Sequence, residues 1–306
     1  MRAMVLNNLV IVAVETNDLG FARTIATRNL AAIDASVAAH PGDSNLMAQR
    51  VGARTNLALV ERHRGDLDAA VAQFEAARSE ATALCGLDTS NVGRKRSLGA
   101  VLSGLAELEL ARNHLDATLV VEQQARDISR ELANLQPASR ETQTDLASDE
   151  LSVADIQHAE HHDDDAALTL RQGLVAAEAL AKAHPGDPAA EHVLATLLVH
   201  QADVELDRHH PDIAMPALLR VLDLRRKALS VTDTPHARLE LVQAILIELD
   251  MPAAARTADE CTILTEARDL IAPVAPLAAS DTEIADALTE LALARRDHPR
   301  CHVAAP

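Results

Sequence analysis

The chain has 306 residues with no Trp, no Tyr and only two Phe, Phe21 and Phe74, so aromatic rings cannot organise its interior and Ala, Leu and Val must fill it. Twelve Pro and ten Gly are too few for a collagen-like or low-complexity chain. The formal charge of −18 argues against nucleic acid and anionic membrane as partners, since neither gains phosphate neutralisation from an acidic surface.

The apolar opening from Met4 to Val14 is interrupted by Asn7 and Asn8 and preceded only by Arg2, and Glu15 and Asp18 stand where a signal peptide would need a small-residue cleavage site. It reads as the first helix of a repeat. No apolar run reaches the length of a membrane span. Cys85, Cys261 and Cys301 form neither a disulfide framework nor a zinc pattern, which points to a reducing cytoplasm.

Self-comparison exposes a long period. Ala58, Ala106, Ala154 and Ala202 are 48 residues apart, each inside a helical pattern and each followed by a turn. The turns contain Gly65-Asp66, Asn113-His114, His162-Asp163 and His209-His210, and a closing Asp recurs at Asp68, Asp116, Asp165 and Asp212. Gly and Asn tolerate the turn, and Asp can cap the helix that follows. That helix opens with a small residue at Ala70, Thr118, Ala167 and Ala214. Breaks at His40-Pro41-Gly42-Asp43, Leu87-Asp88-Thr89-Ser90-Asn91, Gln136-Pro137 and His184-Pro185-Gly186-Asp187-Pro188 separate the units. The spacing predicts a single array over 1–296, with helical hairpins near 1–40, 41–86, 87–136, 137–184, 185–231 and 232–275 and a capping helix over 281–296. In the sixth unit a first helix from about His236 to Asp250 precedes a second opening at Met251-Pro252-Ala253-Ala254, and a frayed tail is expected over 297–306.

On the small residues Ala58, Ala106, Ala154 and Ala202 in the first helix, the turn Gly65-Asp66, the small residues Ala70, Ala167 and Ala214 in the second, and Phe74 with Ala77, the chain resembles the tetratricopeptide repeat family. The resemblance covers nearly the whole length and implies an all-α, right-handed α-α superhelix whose concave face holds peptides. The chain departs from the usual unit of about 34 residues and lacks its aromatic positions apart from Phe74. Long units broken by Ala-His-Pro-Gly-Asp look like arrays appended to bacterial serine/threonine kinases.

No phosphate-binding loop, dinucleotide fingerprint, H-E-x-x-H helix or nucleophile elbow occurs, so no catalytic residue and no cofactor is assigned. His63-Arg64-Gly65-Asp66 lies where the repeat needs a turn and lacks the rest of a kinase signature. His158, His161 and His162 before Asp163, Asp164 and Asp165 are weighed as metal ligands, but the recurrence of Asp-rich turns favours a polar turn, and no metal is assigned. Protonating all fourteen His would move the charge from −18 to −4, so a pH sensor is a further reading.

Reading down the array is more informative than reading along it. Leu59, Glu107, Asp155 and Asp203 are 48 apart and follow the small alanines directly. In the family the chain resembles, this stretch faces the peptide groove, so three carboxylates there suit a basic ligand. Asn56, Arg62, Ser152, His158 and His200 accompany them in the same register. The expected function is an interaction scaffold that binds a basic polypeptide segment on the concave face, with the array ends available for self-association. The alternative is the non-catalytic regulatory remainder of a bacterial serine/threonine kinase or another signalling protein.

Overall fold

The structure, a computed structural model, describes residues 6, 9, 10, 12–14 and 16–301. Arg2, Met4, Asn7, Asn8 and Glu15, on which the argument against a signal peptide turned, lie outside the described residues. Every regular element among those described is helical: α1 (Leu19–Ala39), α2 (Ser44–His63), α3 (Leu67–Leu87), α4 (Val92–Ala111), α5 (Leu115–Leu135), α6 (Arg140–Ala159), α7 (Asp163–Ala183), α8 (Pro188–Asp207), α9 (Pro211–Val231), α10 (Pro235–Asp250), α11 (Glu260–Ile271), a single 3-10 turn (Ala275–Leu277) and α12 (Thr282–Asp297). No helix among the described residues is long and apolar enough to cross a membrane. The chain divides into two compact units, residues 1–156 and 157–306, with the division inside α6.

The period is carried by one turn, repeated five times. Asn17, Gly65, Asn113, His161 and His209, each 48 residues from the next, adopt left-handed backbone with φ between 58° and 80°. Each residue after them donates its N–H to a carbonyl five back, as in Asp66 to Glu61 (3.0 Å), His114 to Glu109 (2.9 Å) and His210 to Glu205 (2.7 Å). The left-handed residue itself bonds three back, as in Gly65 to Arg62 (2.9 Å) and His209 to Leu206 (2.8 Å). This pair of bonds satisfies the last carbonyls of a first helix and reverses the chain into the second. Asp66 then caps α3 by accepting from Ala69 N at 3.1 Å, and Asp18 does the same for α1 from Phe21 N. The first helices that follow start at residues 44, 92, 140 and 188 and the second at 19, 67, 115, 163 and 211.

Small residues fall where helices meet. Ala58, Ala106 and Ala202 are 0% exposed and Ala154 is 1% exposed. In the first unit Phe74, Leu98, Leu102, Leu105 and Leu108 pack with Val51, Val101 and Val121. In the second, Leu170, Leu197, Leu198, Leu218 and Leu222 are buried in the same way, each contributing roughly 1.5–3 kcal/mol. One register position carries charge in each unit: Glu61, Glu109 and Glu205 are buried at the last turn of their helices, and Gln157 takes the equivalent place between Glu109 and Glu205 in sequence. Glu205 takes Arg208 at 2.6 Å and His210 at 3.0 Å, and Glu109 takes Arg112 at 3.3 Å and His114 at 2.8 Å. The same arginines reach back to the preceding second helix, Arg112 to Asp68 (3.1 Å) and Arg208 to Asp164 (2.8 Å).

These pairs correct the sequence register at the turn of His161. The mates of Asp68 and Ala70 are Asp164 and Ala166, not Asp165 and Ala167, because the left-handed residue sets the register and the run Asp163-Asp164-Asp165 conceals it. In the sixth unit the second helix starts at Glu260, capped by Asp259, and not at Met251. Residues 251–259 are irregular and are held by Arg256, which donates to the carbonyls of Leu249 (2.7 Å) and Met251 (2.8 Å). The reading of the cysteines is also corrected. Cys261 and Cys301 form a disulfide across a sequence separation of 40, and Cys85 alone is free. Their partnership depends on the turn after α12 meeting the start of α11, which spacing cannot reveal. The tail therefore differs from a frayed one over 297–301, which ends α12 and is tied down by that bond; 302–306 lie outside the described residues.

Candidate functional site

The candidate residues fall at three register positions of the first helices. Asn56, Ser152 and His200 share one with Gly104; Leu59, Glu107, Asp155 and Asp203 share the second; Arg62 and His158 share the third.

In the first unit α2 supplies Asn56, Leu59 and Arg62, α4 supplies Glu107, and α6 supplies Ser152 and Asp155. Leu59 packs against the apolar core. Asn56 and Ser152 are half-buried, and Asp155 is exposed. The Arg62 guanidinium donates to Glu107, so part of the acidic column is neutralised within the chain. Behind Glu107 stand two carboxyls that the sequence reading passed over. Glu122 on α5 is pushed up to about 7 by burial and then by the charges of Asp149 and Glu107. Asp149 on α6 is pushed up to about 6, chiefly by burial, against a lowering hydrogen bond from Ser129. Glu122 had a legible signal: it occupies the register position of Phe74, Leu170 and Leu218, all fully buried.

In the second unit an open cleft of about 560 Å³ lies between α8, α10 and α12. Two of the predicted residues, His200 and Asp203, stand on its α8 side. Leu246, Ile247 and Leu293 give it an apolar floor, and Asp203, Asp250, Glu290 and Asp297 place four carboxylates around it, with His298 at one end. Burial pushes the Asp250 carboxyl up, and Asp203 and Asp207 add to the rise, while Arg256 and His298 oppose it. His158 is drawn into the same acidic surroundings, its Nδ1 lying 2.7 Å from Asp163 and its Nε2 3.6 Å from Asp207 and 3.9 Å from Asp203. The cleft thus combines an apolar contact with an excess of carboxylates over cationic side chains in its lining. Asp250 and Asp297 continue the register position of Asp203, each fifteen residues after its helix start, and escaped the sequence reading because the spacing shortens there from 48 to 47 residues; Asp207 and Glu290 lie at other positions of their helices.

In the His-Asp turn His161 occupies the left-handed position and His162 is the N-cap of α7; among the described residues no group of three or more His, Cys, Asp or Glu is arranged to hold a metal ion.

No family model and no curated protein sequence matches the chain. Solved structures do match. BtubC (BKLC) from P. vanneervenii is 16% identical, with 94% of this chain and 95% of that one covered and a TM-score of 0.53. The hypoxic regulator of sterol synthesis Nro1, a nuclear import adaptor, is 15% identical over 89% and 86%, with a TM-score of 0.57. A kinesin light chain from Podosopora anserina with nearly identical TPR-like repeats is 14% identical over 76% and 98%, with a TM-score of 0.51. At these identities the likeness is one of fold.

Proposed function

Because the chain has the fold of the TPR-like helical-repeat proteins, we propose that it is an interaction scaffold that binds a basic segment of another polypeptide. The observation that carries this reading is the cleft of α8, α10 and α12, where Asp203, Asp250, Glu290 and Asp297 surround the apolar side chains of Leu246 and Leu293. An extended or helical segment would lay an apolar residue on that floor and bring Arg or Lys to the carboxylates. In the first unit Asp155 and Glu107, the latter paired with Arg62, hold the register position of Asp203. Exposed ion pairs contribute little each and are screened by salt, so the affinity is modest and falls as ionic strength rises. The role requires no catalytic step, and a cytoplasmic setting belongs to the same reading.

The test is fluorescence anisotropy of a labelled peptide of alternating Lys and Leu, set against an equally long Glu and Leu peptide, with the full chain. The Lys peptide should bind, weaken with added salt, and lose at least tenfold in affinity with Asp203→Lys and Glu290→Lys together. Equal binding of the acidic and basic peptides, or indifference to the paired substitution, removes the proposal.

A further inference from the structure

One wall of the cleft is weakly anchored. α12 buries three apolar side chains, Ile284, Ala287 and Leu291, whereas α8 on the opposite side buries seven. Beyond its C-cap at His298 the chain folds back over the start of α11, and two links hold it there. His298 Nδ1 lies 2.9 Å from Glu260 Oε2, with Glu260 also taken by Arg256 at 2.7 Å, and Cys301 is bonded to Cys261. Asp297 and His298, which these links fix, are themselves lining residues of the cleft. A covalent tie beside a wall with so little apolar anchorage decides how well that wall is ordered.

We propose that the Cys261–Cys301 disulfide is a reversible redox clasp: closed, it orders α12 and completes the cleft, and open, it leaves the α12 wall slack and the cleft incompetent to bind. This rests on the reading of the cleft as a partner site. Cys261 is partly exposed and Cys301 buried at 7% exposure, so exchange enters at the Cys261 sulfur. In closure the Cys261 thiolate attacks an external disulfide of the glutathione or thioredoxin class, forming a mixed disulfide and releasing one thiol. The Cys301 thiolate then attacks the Cys261 sulfur, forming the protein disulfide and releasing the second thiol. Two electrons pass from the protein to the external disulfide, and the two protons of the protein thiols end on the released thiols. Opening is the reverse exchange with a dithiol. In a reducing compartment such a bond is a switch and not a permanent staple.

The full chain carrying Cys85→Ser retains only this cysteine pair. It is brought to each state with glutathione disulfide or dithiothreitol, the state verified by alkylation and mass, and two quantities are read: hydrogen exchange over residues 282–297 and binding of the Lys-Leu peptide. The oxidised form should protect α12 and bind. The reduced form, and Cys301→Ser, should exchange at least tenfold faster there and bind at least tenfold more weakly. Failure of the bond to form under oxidant, or equal exchange in the two verified states, overturns the clasp, as does equal binding in both. Exchange that responds while the peptide binds neither state sustains the clasp's hold on α12 and rejects the cleft as a basic-peptide site.

Discussion

The Phe74 ring fills the space that a side chain at Gly104 would need: a Cβ built there would lie 2.5 Å from the ring Cζ. Phe74 on α3 is 0% exposed and Gly104 lies on the facing α4, so the one buried aromatic ring of the first unit is accommodated by removing the side chain opposite it. Gly104→Ala should therefore destabilise by about 1–3 kcal/mol through overpacking, and Phe74→Ala by about 3–5 kcal/mol through the cavity it leaves. Phe74→Leu, which copies Leu170 and Leu218, should lower the cost of Gly104→Ala when combined with it. Urea unfolding of the two single variants and the double variant measures the coupling.

Glu122 sits where Phe74, Leu170 and Leu218 sit in their own repeats, and its carboxyl is raised from 4.5 to about 7. A raised carboxyl binds more protons folded than unfolded, so its stabilising contribution is full below the unfolded value near 4.5 and is lost as pH rises through 7. Asp149, raised from 3.8 to about 6, acts with the same sign over a lower window. Glu122→Leu should accordingly stabilise by about 1–2 kcal/mol at pH 8, after allowance for solvent screening, and by much less at pH 5. Thermal melts at the two pH values check it; an equal gain at both would assign the effect to packing alone.

Glu205 is 1% exposed and holds Arg208 and His210, whereas Gln157 at the equivalent place accepts from Thr169 at 2.8 Å. A neutral amide thus serves the same position when its neighbours carry fewer charges. Glu205→Ala, which removes the shared acceptor of the partly exposed Arg208 and His210, should cost about 1–3 kcal/mol, and Glu205→Gln less than half of that, read as the shift in urea midpoint.

Gly65 holds the left-handed turn with φ 80°, and His209 holds the equivalent turn with φ 61°. Gly65→Ala should destabilise by about 1 kcal/mol, while His209→Gly should be neutral or stabilising because it removes backbone strain. Calorimetric melts of the two variants test the opposite signs.

The architecture was legible because packing imposes the same requirement every 48 residues: the alanines at 58, 106, 154 and 202 mark helix contacts that admit no larger group. The register slipped by one at the turn of His161 because His161, unlike Gly65 or Asn113, is not a residue that announces a left-handed backbone. Of the candidate site, His200 and Asp203 were legible because they keep the spacing of 48, while Asp250 and Asp297 hold the register position of Asp203 at a spacing of 47 that a strict 48-residue comparison misses, and Glu290 lies at another position of its helix. The Cys261–Cys301 bond was hidden for a physical reason. Its partners meet only once α11 and α12 have packed, a tertiary event with no local sequence mark.

The constancy of the turn has a consequence for how such a chain can change length. Residues 92 and 140 begin equivalent helices, and residues 91 and 139 precede them. Excising 92–139, or copying it, would join a helix end to the same kind of helix start and leave every reversing turn with its own partners. Unequal crossing-over between such stretches would add or remove hairpins in whole steps, so the length of the array can evolve by copy number while the residues of each hairpin stay as they are.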